Sequence, residues 1–104
     1  MIEFLKKFNL PFVYTGNGTF LIGFKNPDFI CTDGRKLCLE VANRFHHNEF
    51  WEENRIKHFE KYGWKCIVIW WEEIFATKYD RKFKKNWEEE LLTKIERFIA
   101  YASP

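Results

Sequence analysis

Three features of this 104-residue chain predict an α/β (α+β) domain whose central mixed sheet has about four to five strands flanked by helices. Asp33-Gly34 separates the runs Phe29 to Cys31 and Lys36 to Val41, a strong hairpin signal that pairs the two runs antiparallel. Cys66-Ile67-Val68-Ile69-Trp70 is continuously apolar, as a central strand covered on both faces requires, and the helical stretch before it suits a crossover to a parallel neighbour. Trp87, Leu91, Ile95, Phe98 and Ala102 recur at helical spacing, with Leu92 and Ile99 widening the stripe, so a C-terminal helix packs on the sheet.

The elements follow in order. Ile2 to Phe8 reads as a short helix with Ile2, Leu5 and Phe8 on its inner side, Glu3 in its first turn and Pro11 as its stop. Phe12-Val13-Tyr14 and Thr19 to Gly23 flank Gly16-Asn17-Gly18, which predicts a first hairpin. In the second hairpin, the two-residue period places Lys36, Cys38, Glu40 and Ala42 on one face and Leu37, Leu39 and Val41 on the other. Asn48 is the expected N-cap of a helix running to Tyr62, with Gly63 at its end. Between Trp71 and Trp87, the run from Lys78 to Lys85 holds five Lys or Arg against one Asp; it reads as a solvated connection or as a patch for phosphates.

At this length, with nearly half its residues apolar, the chain has material for one core and hardly two, so a single domain spanning 1–104 is expected. Twelve Phe and five Trp put most aromatic rings in that core. A formal charge of +2 steers weakly toward polyanions, so nucleic-acid binding must rest on a local cluster of cations. Cys31, Cys38 and Cys66 are odd in number and lack C-x-x-C spacing, which argues against a disulfide framework and a zinc ribbon. No leader pattern is present and the longest apolar run is too short for a bilayer, so a soluble, cytoplasmic protein is expected.

The residues that carry chemistry lie on and beside the second hairpin. Asn26-Pro27-Asp28-Phe29-Ile30 leads into it, Glu40 lies on its outgoing strand, and Phe45-His46-His47 follows. Two carboxylates and a histidine pair on neighbouring elements form a layout suited to metal-assisted hydrolysis.

Taken with Glu3 and with the segment Arg55 to Trp71, RIKHFEKYGWKCIVIWW, this order resembles the PD-(D/E)xK nuclease superfamily. Within it, the similarity is to very-short-patch-repair (Vsr-like) endonucleases and to homing endonucleases of the EDxHD type. The resemblance spans most of the chain and implies a restriction-endonuclease-like fold. It implies hydrolysis of double-stranded DNA with Mg²⁺ or Mn²⁺, by the catalytic part of a homing endonuclease or by a compact nicking enzyme. By position, Asp28 matches the metal-binding aspartate and Glu3 the N-terminal acidic residue that completes the site through water. Glu40 falls at the acidic place of the half-motif, with the Val41 carbonyl as a further ligand, and His47 matches the histidine that follows the aromatic pair. His46, Arg44, Asn54 and Arg55 are expected to contact substrate.

The chain departs from the family pattern where Ala42 replaces the superfamily lysine, Asn43 and Arg44 replace Gly and Asp, and Asn54 stands at a position often Asp. His47 is then the candidate for the proton step, because an unperturbed histidine titrates at about pH 6.5. Two other readings stay open: a catalytically silent DNA-binding or interaction domain of the same fold, and a nuclease of structured RNA. Lys6, Lys7, Lys25, Arg35, Arg44, Arg55 and Lys57 are the cations expected to flank the cleft and meet phosphates, making affinity salt dependent. Such contacts position without reading sequence, so specificity is expected from a homodimer or from a further DNA-targeting domain.

Overall fold

The runs on either side of Asp33-Gly34 do pair, and the rest of the fold is laid out from them. The computed structural model describes residues 1–76 and 82–102. Its elements are α1 (Ile2–Lys7), β1 (Phe12–Tyr14), β2 (Phe29–Cys31), β3 (Leu37–Ala42), α2 (Glu49–Lys61), β4 (Lys65–Trp70), α3 (Trp71–Ile74) and α4 (Trp87–Ala102). The sheet has four strands in the order β1-β2-β3-β4. β2 meets β3 antiparallel, with Phe29 opposite Leu39, and β3 meets β4 parallel from Leu37 opposite Lys65 to Ala42 opposite Trp70. Because a parallel neighbour needs a crossover, α2 supplies it.

Period two divides β3 as expected. Leu37, Leu39 and Val41 join Phe29, Ile69, Leu91, Ile95 and Phe98 in the main core under α1, α3 and α4. Cys38 packs instead with Ile22, Phe59 and Cys66, and Ala42 with Val68, Trp70 and Trp51, on the α2 side. All three cysteines are free and buried. Hydrogen bonding to Cys38, and then burial, push the Cys66 thiol up, so it stays protonated. Asn48 caps α2 as its position predicts, its Oδ1 accepting from Trp51 N at 3.1 Å. Gly63 follows the helix with φ +84°, the left-handed backbone that favours glycine.

Several expectations need correction. Thr19 to Gly23 is not a strand, and β1 pairs with β2, Phe12 opposite Cys31. The side chain of Asn26 holds the intervening segment as a loop. Its Nδ2 donates to Thr15 O at 2.7 Å and Phe20 O at 2.6 Å, while its Oδ1 accepts from Gly18 N at 3.1 Å. A polar side chain thus takes the backbone partners that a strand would have supplied. α1 ends before Pro11, where Asn9 turns into the left-handed region at φ +52° and Leu10 N donates to Leu5 O. Its buried residues are Phe4 and Leu5, whereas Ile2 is exposed. Most Phe and Trp rings do lie in or against the core, but Phe24, Phe45, Phe50 and Phe83 are exposed. The short helix α3 carried no sequence signal.

In the basic run, Lys78 to Arg81 lie outside the described residues. The part that follows returns along α3: Ala76 N donates to Lys82 O and Lys84 N to Ile74 O, around a Phe75–Phe83 bridge. Among the described residues, no helix is long and apolar enough to cross a membrane.

Candidate active site

A cleft of about 650 Å³ opens at the end of the sheet where β3 and β4 finish. Crevices beyond the carboxyl ends of parallel strands are where open α/β sheets place ligands. Asp28 and Val41 line this cleft, as does Glu3 of α1.

Asp28 is the best-anchored of the predicted residues. Its Oδ2 accepts from the backbone N–H of Val41 at 2.8 Å, which ties the end of β2 to β3. The preceding turn is held by Thr15, whose N donates to Asp28 O at 2.7 Å and whose Oγ1 donates to Pro27 O at 2.8 Å. Asp28 is half-buried, so the carboxylate is fixed without being sealed from solvent.

Glu40 lies on the opposite face of the sheet and is 3% exposed. Arg55 of α2 clamps it, with Nε donating to Glu40 Oε1 at 3.1 Å and Nη2 to Asn26 O at 3.0 Å. The Lys36 pairing that strand spacing allows gives way to this interaction from the crossover helix. Burial first, and the adjacent Asp28 carboxylate second, push the Glu40 carboxyl from 4.5 up to about 8, against the pull of Arg55. A protonated Glu40 donates a hydrogen bond to Asp28, and this too favours the neutral acid. Glu40 is thus in contact with Asp28 but is not part of the cleft lining.

The histidines fall elsewhere. His47 stacks on Trp51, with centroids 4.0 Å apart and planes at 24°, at the start of α2 and outside the cleft lining. His46 is exposed, as is the neighbouring Phe45. Arg44 stays exposed but is tied to its own chain: Nη1 meets Glu49 Oε1 at 2.6 Å, the guanidinium lies over Trp70 at 4.1 Å, and the backbone N donates to Glu72 Oε1. Asn54 is exposed on α2. Of the cations expected to flank the site, Lys7 lines the cleft and bridges to Glu88 of α4 at 2.7 Å, whereas Arg35 pairs with Asp33 and Lys57 with Glu53.

The donor set is the kind a hard, hydrated cation uses. Asp28 and Glu3 both stand in the cleft, and Asp28 carries two carboxylate oxygens, one of them bonded to Val41 N. Among the described residues, no three His, Cys, Asp or Glu side chains gather into a closed cage. A structural zinc site needs such a cage, while Mg²⁺ takes one or two carboxylates and completes its shell with water and phosphate oxygens.

Sequence reasoning missed the apolar wall of the cleft, built by Phe75, Phe83 and Trp87 as a column of rings. Phe75 and Phe83 centroids are 5.4 Å apart, and Phe83 lies nearly parallel to Trp87 at 4.8 Å. The available signal was an aromatic residue set inside a run of lysines.

No protein-family model matches this sequence, and no curated protein matches it. Among solved structures, the chain is similar to the catalytic domain of the homing endonuclease I-Bth0305I, with a TM-score of 0.66 over 99% of this chain and 92% of that one. At 15% identity, the likeness is one of fold.

Proposed function

We propose that this chain is the catalytic unit of a DNA endonuclease of PD-(D/E)xK, Vsr-like type that hydrolyses phosphodiesters with Mg²⁺ or Mn²⁺. The observation that carries the reading is the meeting of Asp28, Val41 and Glu3 in one cleft at the end of β3. The shared architecture with a homing endonuclease catalytic domain supports the same reading and suggests double-stranded DNA as substrate.

In this reading Asp28 holds the ion directly, the Val41 carbonyl adds a backbone donor, and Glu3 orients water in the same cleft. When bound, the ion neutralises charge on the phosphoryl oxygens and makes an attacking water more acidic. Glu40 acts on Asp28 from the opposite face, fixing the direction of the carboxylate. His47, steadied by Trp51, handles the proton step. This requires the scissile phosphate to sit at the rim between the cleft and the β3–α2 loop. His46 and Asn54, both exposed, meet the DNA backbone. Arg44 and Arg55 are held by internal partners and position the neighbouring elements. A homodimer or an additional targeting domain supplies sequence specificity.

The test is incubation of the protein with supercoiled plasmid and Mg²⁺ or Mn²⁺, with EDTA and Asp28→Ala controls. Metal-dependent nicking or linearisation that disappears in the variant is the expected result. Plasmid binding without cleavage would overturn the catalytic reading and leave a silent DNA-binding domain, which Ala42, buried at the superfamily lysine position, favours. Cleavage confined to structured RNA would replace the substrate.

A further inference from the structure

Tyr14 ends β1 in the lining of the cleft and has no part in the hydrolytic reading. It pairs with Phe29, the residue after Asp28, and its ring meets the Phe29 ring edge-on with centroids 5.5 Å apart. The next residue, Thr15, bonds the Asp28 carbonyl, so Tyr14 stands diagonally across the two strands from that acid. Phenylalanine would serve the ring packing equally well. What tyrosine adds is a hydroxyl, which has no hydrogen-bond partner among the described residues, on a side chain 44% exposed. Gly16 makes room for it. A Cβ there would stand 2.7 Å from Tyr14 Cε1 and 2.8 Å from Cζ and the hydroxyl oxygen, although the Gly16 backbone is not left-handed and does not itself require glycine.

We propose that Tyr14 is a further catalytic residue of this site, whose hydroxyl donates a hydrogen bond to a non-bridging oxygen of the scissile phosphodiester. The proposal rests on the nuclease reading of the same cleft. Charge selects the role. The side chains of Glu3, Asp28 and Glu88 line the cleft against one lysine, Lys7, and Lys7 is bridged to Glu88 at 2.7 Å. A phosphodiester entering beside three carboxylates needs a donor in addition to the ion. A second lysine next to Asp28 would pair with that carboxylate and compete with the ion for it, whereas a phenol donates without carrying charge. Negative charge grows on the non-bridging oxygens as water adds to phosphorus, so a donor already in place gains strength in the transition state at no cost in reorganisation. Tyr14 transfers no proton. Water bonds to phosphorus, the ester oxygen leaves, and the proton exchange stays with His47. A tyrosine that merely filled the end of the strand would take no part in this, and removal of one oxygen separates the two roles.

The experiment compares the wild type, Tyr14→Phe, Gly16→Ala and the double variant in single-turnover nicking of supercoiled plasmid with Mg²⁺ or Mn²⁺ at saturating protein. Tyr14→Phe keeps the ring and is expected to keep the melting temperature. It is expected to slow nicking by about 10- to 100-fold, the range for one hydrogen bond to a charged group, and to change duplex affinity in Ca²⁺ buffer much less. Gly16→Ala is expected to slow nicking by displacing the phenol, and to have no further effect in the Tyr14→Phe background. Tyr62→Phe, at a phenol outside the cleft lining, is expected to nick at the wild-type rate. A second readout needs no turnover. In wild-type protein labelled with 3-fluorotyrosine, the ¹⁹F resonance that is missing from Tyr14→Phe is expected to shift when duplex DNA and Ca²⁺ are added. Nicking by Tyr14→Phe at the wild-type rate, or a Tyr14 resonance that stays in place under saturating duplex, overturns the proposal. Nicking lost in Asp28→Ala but kept in Tyr14→Phe overturns the Tyr14 role alone, whereas a wild type that does not nick overturns the nuclease reading and this role with it.

Discussion

Replacing Glu40 by Gln tests whether this buried carboxyl is neutral in the folded protein. Its carboxyl titrates near 8 rather than 4.5, because burial and the neighbouring Asp28 outweigh Arg55. The folded state therefore holds the proton more tightly than the unfolded chain does. The stability this contributes is complete below the unfolded value of 4.5 and is lost as the pH rises through 8. At about 1.4 kcal/mol per pH unit, the wild type loses about 3–4 kcal/mol through this group between about pH 5 and pH 9. That is a large part of the roughly 5–15 kcal/mol by which a domain is stable. Glutamine mimics the protonated acid, with an amide to donate toward Asp28 and a carbonyl to accept from Arg55, and it does not titrate. Urea denaturation in EDTA buffer at several pH values is the assay, read as the difference between the two proteins so that their other groups cancel. The two should agree within about 1 kcal/mol near pH 5, with the variant ahead by about 3–4 kcal/mol near pH 9. A difference independent of pH, or a wild type that gains on the variant as pH rises, would refute a neutral buried Glu40.

Asp28→Asn should keep the fold, because the amide oxygen still accepts from Val41 N, yet lower plasmid nicking by at least about a hundredfold; retained cleavage would remove Asp28 from the chemistry. Asn26→Ala deletes three hydrogen bonds of the loop after β1 and should cost about 2–3 kcal/mol in urea unfolding; a loss under about 1 kcal/mol would mean that the loop is held by other contacts. Asn48→Ala removes the α2 N-cap and should cost about 1 kcal/mol with no change in DNA affinity, as checked by thermal melting and anisotropy.

The legible parts of the fold were those in which local chemistry and packing agree. Asp33-Gly34, the continuous run in β4, the Asn48 cap and the α4 stripe each carry their own instruction, and each element formed where it was expected. Thr19 to Gly23 has strand composition too, but the partner it needed is taken by Phe29 to Cys31. Which of two strand-like segments pairs with β1 is a non-local choice, decided by Asn26 reaching back to Thr15 and Phe20. The same limit applies to the site. Sequence order brought Asp28 and Glu40 together, and they are in contact. It gave no indication that α2 would carry Arg55 onto Glu40, or that a ring from the basic run would come to rest on Trp87.

The position of Asp28 explains how one carboxylate receives support from both faces of the sheet. Within β2, Phe29 and Cys31 point to the α1–α4 core, and Ile30 packs on the α2 side. Strict alternation would send Asp28 after Ile30, to the side where Glu40 and Arg55 lie. But Asp28 precedes the first paired residue of the strand, and there the pleat no longer dictates direction. Its carboxylate crosses the end of the sheet, bonds the Val41 N–H and enters the cleft, while remaining in contact with Glu40 behind it. One residue further into β2, at the position of Phe29, the group would be committed to the α1–α4 core and sealed from solvent. One residue earlier, it would lose Val41 and the anchor at Thr15. The strand boundary thus places a single acid where a buried carboxyl–guanidinium pair can orient it and a solvent-filled cleft can present it to substrate.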